Sequence, residues 1–170
     1  MELIKKRTEV IKHGNDSGSF IAYWTSNTLR ANNNYSLKFA SEIALEKNLP
    51  LKIFFYHNES HYKCIDRHTI VLLSGLIELV DELRYFGHEL EFVNSIDGIE
   101  GLNLTDCHTI IIDKTYTKRS NDYTLELLKN YNTNIISIDN LYLPAKLVSS
   151  KQEYSAATFR RKYYKTTSSL

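Results

Sequence analysis

Short apolar runs alternate along this chain with longer stretches in which apolar residues recur every three or four positions. The runs "FIAYW" (20–24), "LKIFFYH" (51–57) and "HTIIID" (108–113) have strand length and no polar interruption on one or both faces. "HELEFVN" (88–94) alternates like a strand, and "TNIISID" (133–139) adds another. Between them, Leu37, Ala40, Ala44 and Leu45 mark a helix over 35–47, ended by "NLP" because the residue before a proline disfavours the α region. A long helix over 67–86 stops at Gly87, a good C-cap residue. Residues 119–131 form an amphipathic helix with Tyr123, Leu127 and Leu128 on one side, and "GIEGLNL" adds a helical turn before "HTIIID". "GNDSGS" (14–19) is a loop by composition and separates a short leader from the first strand.

Continuous apolar strands alternating with helices point to a parallel sheet covered on both faces. The expected fold is α/β, a Rossmann-like three-layer α/β/α domain on a five-stranded, mostly parallel sheet. A length of 170 residues favours one domain. Its parts are a leader and loop (1–19), the α/β body (20–147) and a closing segment (148–170). The long helix carries two stripes: Ile70, Leu73, Ile77 and Val80, and beside them Leu72, Leu76, Leu79 and Leu83. A surface helix needs only one, so this helix either lies deep in the packing or turns its outer stripe to another domain.

Charge narrows the partners. With 21 basic and 20 acidic residues the net charge is +1, so no global field draws the chain to nucleic acid or an anionic membrane. Any basic site is local. Cys64 and Cys107 are far apart and form no CxxC, which reads as two reduced thiols in a cytoplasmic protein. The start has no apolar h-region of a signal peptide. No apolar run approaches the ~18 residues of a membrane helix, so no membrane partner is expected.

The chain has no G-x-G-x-x-G, no G-x-x-x-x-G-K-[ST] and no G-x-S-x-G, which argues against an ordinary dinucleotide dehydrogenase, a P-loop enzyme or an α/β-hydrolase. His57, His61, Cys64 and His68 are zinc-ligand types. Their spacing straddles a strand end, a loop and a helix start and matches no finger, so they read as loop histidines and no metal is expected. In open α/β sheets ligands lie beyond the carboxyl ends of the strands, where strand order reverses. There Tyr23, Trp24, Ser26, Arg30 and Asp113 are the candidate cofactor-binding residues. Trp24 suits core packing equally well, and Arg30 a surface or capping role.

The closing stretch "VSSKQEYSAATFRRKYY" (148–164) offers Ser150 as an N-cap with Glu153 three residues on, a capping box. The helix that follows shows Arg160, Arg161, Lys162 and Lys165. Either it is a solvated terminal helix or its basic group meets phosphate, of DNA or of a cofactor.

This stretch resembles the Lys-Gln-Glu-Tyr-x-Ala-x-Thr-x-Arg signature of class II DNA photolyases, through Lys151, Gln152, Glu153, Tyr154, Ala156, Thr158 and Arg160. "YWTSNTLRANNNYSL" is similar to the same family's Tyr-Trp-Met-Ser-Arg-Asp-Gln-Arg motif and its continuation, through Tyr23, Trp24, Ser26, Arg30, Asn34 and Leu37. "RHTIVLLSGLIEL" resembles a third family motif through Arg67, His68, Leu73, Gly75 and Leu76. The chain departs from these patterns at Asn27, Thr28, Tyr35 and Lys146, losing an Arg and an Asp of the first loop.

The resemblance implies the N-terminal, antenna-type domain of a light-driven enzyme that repairs cyclobutane pyrimidine dimers. FAD and damaged DNA are then expected only in a helical C-terminal domain outside residues 1–170, in the same longer chain or in trans. The resemblance also implies an antenna chromophore, a deazaflavin or a folate, near Tyr23, Trp24, Ser26, Arg30 and Asp113. Lys151, Glu153, Tyr154 and Arg160 are expected at the interdomain edge, with no catalytic residue in this chain. Two other readings stay open: a stand-alone module binding a nucleotide, pterin or flavin-like molecule, and an interaction protein docking through the 67–86 helix and basic tail.

Overall fold

β2 (Phe20–Trp24) and β5 (Cys107–Asp113) are buried at every position, as unbroken apolar runs require when both sheet faces are covered. They lie side by side at the centre of the sheet. The computed structural model describes Ile4 and residues 6–57, 66–94 and 104–168. The remaining elements are β1 (Thr8–Lys12), α1 (Tyr35–Lys47), β3 (Leu51–His57), α2 (Asp66–Tyr85), β4 (Leu90–Asn94), α3 (Lys118–Leu128), β6 (Asn134–Ile138), α4 (Ala145–Val148) and α5 (Ala156–Thr167), with a 3-10 turn at Leu104–Asp106.

The strand order is β1-β6-β5-β2-β3-β4. All pairs are parallel except β1 with β6. From β2 the chain builds outward through β3 and β4, then returns to build β5 and β6 on the other side. Strand order therefore reverses between β2 and β5.

Two cores flank the sheet. On one face Ile21, Tyr23, Ile53 and Ile111 pack with Leu37 and Ala40 of α1 and Leu79 and Leu83 of α2. On the other, Trp24, Phe54, Tyr56 and Ile110 pack with Leu128 and the partly buried Tyr123 and Leu127 of α3. Burying each such aliphatic or aromatic side chain stabilises the fold by roughly 1.5–3 kcal/mol.

The α/β three-layer expectation holds, with one strand more than the five expected. The leader supplies it: Thr8–Lys12 pairs antiparallel with β6, with a bulge between Val10 and Lys12. Val10 and Ile11 are 48% and 37% exposed, so this edge strand shows little of the apolar continuity that marks the inner ones. Gly14 closes the link: a Cβ there would lie 2.2 Å from the Thr133 carbonyl carbon, so only glycine lets the backbones meet.

Other boundaries shift. Ser155, not Ser150, caps the closing helix, its hydroxyl accepting from the Thr158 amide while the Thr158 hydroxyl accepts from the Ser155 amide. Leu45, placed on the buried side of α1 by its spacing, is 81% exposed. Of "GIEGLNL" only Leu104 is among the described residues, opening the 3-10 turn. His61 and Cys64 lie outside the described residues, as does the His57 side chain. Gly87, at φ +78°, ends α2 as expected. The inner stripe of α2 is covered, with Leu76, Leu79 and Leu83 buried, while Ile70, Leu73 and Ile77 are 64%, 49% and 64% exposed. No described helix is long and apolar enough to cross a membrane.

Candidate functional site

The turn after β2 folds back over the end of β5, and Asp113 is the reason. One carboxyl oxygen, Oδ2, accepts the backbone N–H groups of Ser26, Asn27 and Thr28 at 3.1, 3.1 and 3.0 Å. The other, Oδ1, accepts the Tyr23 hydroxyl at 3.0 Å, the Ser36 hydroxyl at 2.9 Å and the Asn140 amide at 2.7 Å. A carboxyl group offers about four lone-pair sites. Six donors therefore use all of Asp113's acceptor capacity, and the residue is 3% exposed.

The surrounding groups are tied as firmly. Asn34 caps α1 through the Leu37 amide, while its side-chain amide donates to the Tyr23 hydroxyl and the Arg30 carbonyl, each at 2.9 Å. Asn140 accepts from the amides of Tyr35 and Ser36 at 2.7 and 3.1 Å and donates to the Ser36 hydroxyl at 2.7 Å. The exposed Arg30 donates to the Asn140 carbonyl at 3.2 Å. Burial, reinforced by the Asp113 charge, pushes the Tyr23 phenol well above its ordinary range, so Tyr23 stays a neutral donor.

Of the five nominated residues, the structure thus gathers Tyr23, Ser26 and Asp113 into one hydrogen-bonded set, with Arg30 at its rim. Trp24 points to the opposite face, packed with Phe54 and edge-on to Tyr56. Its indole Nε1 is buried without a hydrogen-bond partner. Trp24 lines a narrow cleft with Ser26, Asn27, Tyr56, Thr115, Ser120, Tyr123 and Thr124, whose space for a solvent molecule is about 10 Å³. That is about what a single water needs.

The roomier grooves, of about 460 and 510 Å³, run along α1 and include none of the five. They are open surface, and we assign them no role.

The sequence alone does not mark Asn34, Ser36 or Asn140 as site residues. Asn34 stands within the "YWTSNTLRANNNYSL" motif, but no spacing rule joins position 36 to 113 and 140. Only the fold does.

The proposed interdomain residues form a different surface. Tyr154 is fully exposed, Lys151 and Arg160 face solvent, and α5 buries no residue. Glu153 instead turns inward, accepting from the Ser149 hydroxyl and pairing with Lys162 at 2.5 Å. These contacts hold its carboxyl at about 2, below the usual carboxylate range. Lys146, at one of the motif departures, pairs with Glu9 of β1 at 3.0 Å, and Lys114 shares the same carboxylate.

No protein-family model matches the chain. Among curated proteins it is 26% identical over 149 residues to a deoxyribodipyrimidine photo-lyase of Methanothermobacter thermautotrophicus, covering 85% of this chain and 33% of that protein. It is 24% identical over 174 aligned positions to a deoxyribodipyrimidine photo-lyase of Potorous tridactylus, covering 94% of this chain and 32% of that one. The chain is thus similar to photolyases at low identity. It spans about a third of the length of these relatives. Among solved structures, the universal stress protein of Archaeoglobus fulgidus, in complex with dAMP, aligns at a TM-score of 0.45 and 17% identity, over 70% of this chain and 97% of that one.

Proposed function

We propose that residues 1–170 are the N-terminal α/β domain of a class II photolyase-like protein. The intact protein splits cyclobutane pyrimidine dimers by passing an electron from a photoexcited reduced flavin to the dimer. That chemistry belongs to the cofactor, which is held by the helical remainder of the longer protein, as is the damaged DNA. This domain contributes no catalytic residue.

The observation that carries the reading is the photolyase likeness over 85% of this chain and only 33% of the relative. The closing segment supports it. α5 and the turn before it present Lys151, Tyr154 and Arg160 outward, all three exposed, which suits an edge where further polypeptide docks. The unpaired, buried Cys107 suits a reducing, cytoplasmic setting.

The test is the native product in source cells, sized with an antibody to this domain and assayed for light-dependent dimer splitting with FAD. A band far above 19.8 kDa with repair activity is expected, while the isolated 170-residue chain stays inert. A native band at 19.8 kDa, or repair by the isolated chain, overturns the reading.

A further inference from the structure

The outer face of α2 is arranged as its own complement. Facing away from the sheet, Arg67, Ser74 and Asp81 fall one heptad apart, so they lie along one line of the helix. Each is exposed. Ile70 and Val71 precede Ser74 by four and three residues, and Ile77 and Glu78 follow it by three and four. Ile70, Val71 and Ile77 are 64%, 72% and 64% exposed. The face therefore has a basic end, a small residue at the midpoint with apolar residues on both sides, and an acidic end.

We propose that this face binds a second copy of the same chain, with the two α2 helices antiparallel about a two-fold axis at Ser74. A two-fold interface is isologous and requires a self-complementary surface. Antiparallel pairing about Ser74 sets each Arg67 against the other copy's Asp81, roughly 10 Å along the helix from the axis at 1.5 Å per residue. It sets Val71 against Ile77 and Ile70 against the stem of Glu78, whose carboxylate then lies one helical turn from Arg67. Parallel pairing would instead stack like charges.

Ser74 suits the crossing point. It is small enough for the helices to approach closely, and its hydroxyl already donates to the Ile70 carbonyl at 2.9 Å. Burying it strands no donor. Among the described residues Asp81 is held only by an exposed contact to Arg84 at 3.8 Å, a kind of pair worth little on its own, so it is available to the partner. An apolar groove of about 320 Å³ between α2 and β4, lined by Leu73, Ile77, Val80, Leu90 and Phe92, continues the surface on one flank. Exposed apolar area of this kind marks an interface. The inference stands apart from the photolyase reading.

Sedimentation equilibrium of the 170-residue chain over a wide concentration range tests it. A reversible dimer of twice 19.8 kDa is expected. Ile77→Asp, on an exposed position, should weaken it at least about tenfold, with an unchanged thermal midpoint at concentrations where both proteins are monomeric. Arg67→Glu should weaken it, and Arg67→Glu with Asp81→Arg should restore it. A strict monomer, or a dimer indifferent to Ile77→Asp, overturns the proposal. A dimer that Ile77→Asp weakens but the charge swap does not rescue overturns the antiparallel arrangement.

Discussion

The Tyr23 hydroxyl of β2 donates to the Asp113 carboxyl of β5 at 3.0 Å, across the point where the sheet reverses its strand order. In a parallel sheet this is where a ligand-binding crevice opens. Here Asp113 also holds the Ser26–Thr28 turn, with Ser36 and Asn140 beside it. These contacts join β2, α1 and the loop after β6.

Asp113→Ala should therefore act on stability. It strands six buried or half-buried donors, and losing hydrogen bonds to a charged group costs about 1.5–3 kcal/mol each before relaxation. A net loss of at least about 3 kcal/mol is expected. Tyr23→Phe, which removes one donor and Asn34's acceptor, should cost about 1 kcal/mol. Urea unfolding followed by circular dichroism measures both. Equal, small losses would show that Asp113 does not organise this end of the sheet.

Much of the sheet was legible because the central stretches of β2, β3 and β5, Phe20–Trp24, Ile53–Tyr56 and Ile110–Ile112, are buried on both faces and are apolar. The two stripes of α2 were legible for the same reason, since helical spacing records which side meets the core. β1 was not. It pairs on one side only, and what fixes it is Arg7 rather than an apolar pattern. The Arg7 guanidinium donates to the carbonyls of Asp139 at 3.1 Å and Tyr142 at 2.8 Å, and to that of Leu141, and lies over the Tyr35 ring. Backbone carbonyls carry no sequence signature. The Asp113 network was hidden in the same way: residues near positions 25, 36, 113 and 140 meet only after the crossovers are made.

The single tryptophan of the chain reports on ligand entry. Trp24 is 3% exposed and lines the switch-point cleft, so a chromophore lodging there must change its surroundings. Titration with a deazaflavin, a folate or a nucleotide should leave the tryptophan emission unchanged after correction for absorption of light by the ligand. Saturable quenching would show that the Ser26–Thr28 turn opens and that the cleft is a chromophore site after all.

Cys107 should be inert. Burial pushes its thiol up to about 12, leaving about one thiolate in ten thousand at pH 8, and the thiolate is the reactive form. In a Cys64→Ser variant, a chromogenic disulfide reagent should label nothing in the native state and one thiol after unfolding. Rapid native labelling would mean that the start of β5 opens readily.

Glu153 makes the closing segment sensitive to acid. Its folded-state pKa of about 2 lies below the ordinary 4.5, first through Lys162 and then through Ser149. A depressed carboxyl pKa means that the fold favours the charged form. The stabilisation is therefore fully present above pH 4.5 and is lost as pH falls through about 2. The contact ties the turn before α5 to the helix itself, and α5 has no buried side chain to hold it otherwise. Acidification should loosen α5 ahead of the sheet, seen as early loss of its amide protection in hydrogen exchange. Glu153→Gln should show the same early exchange at neutral pH and flatten the acid dependence. If α5 and the sheet lose protection together in both proteins, the helix is held by its packing on α4 and not by this ion pair.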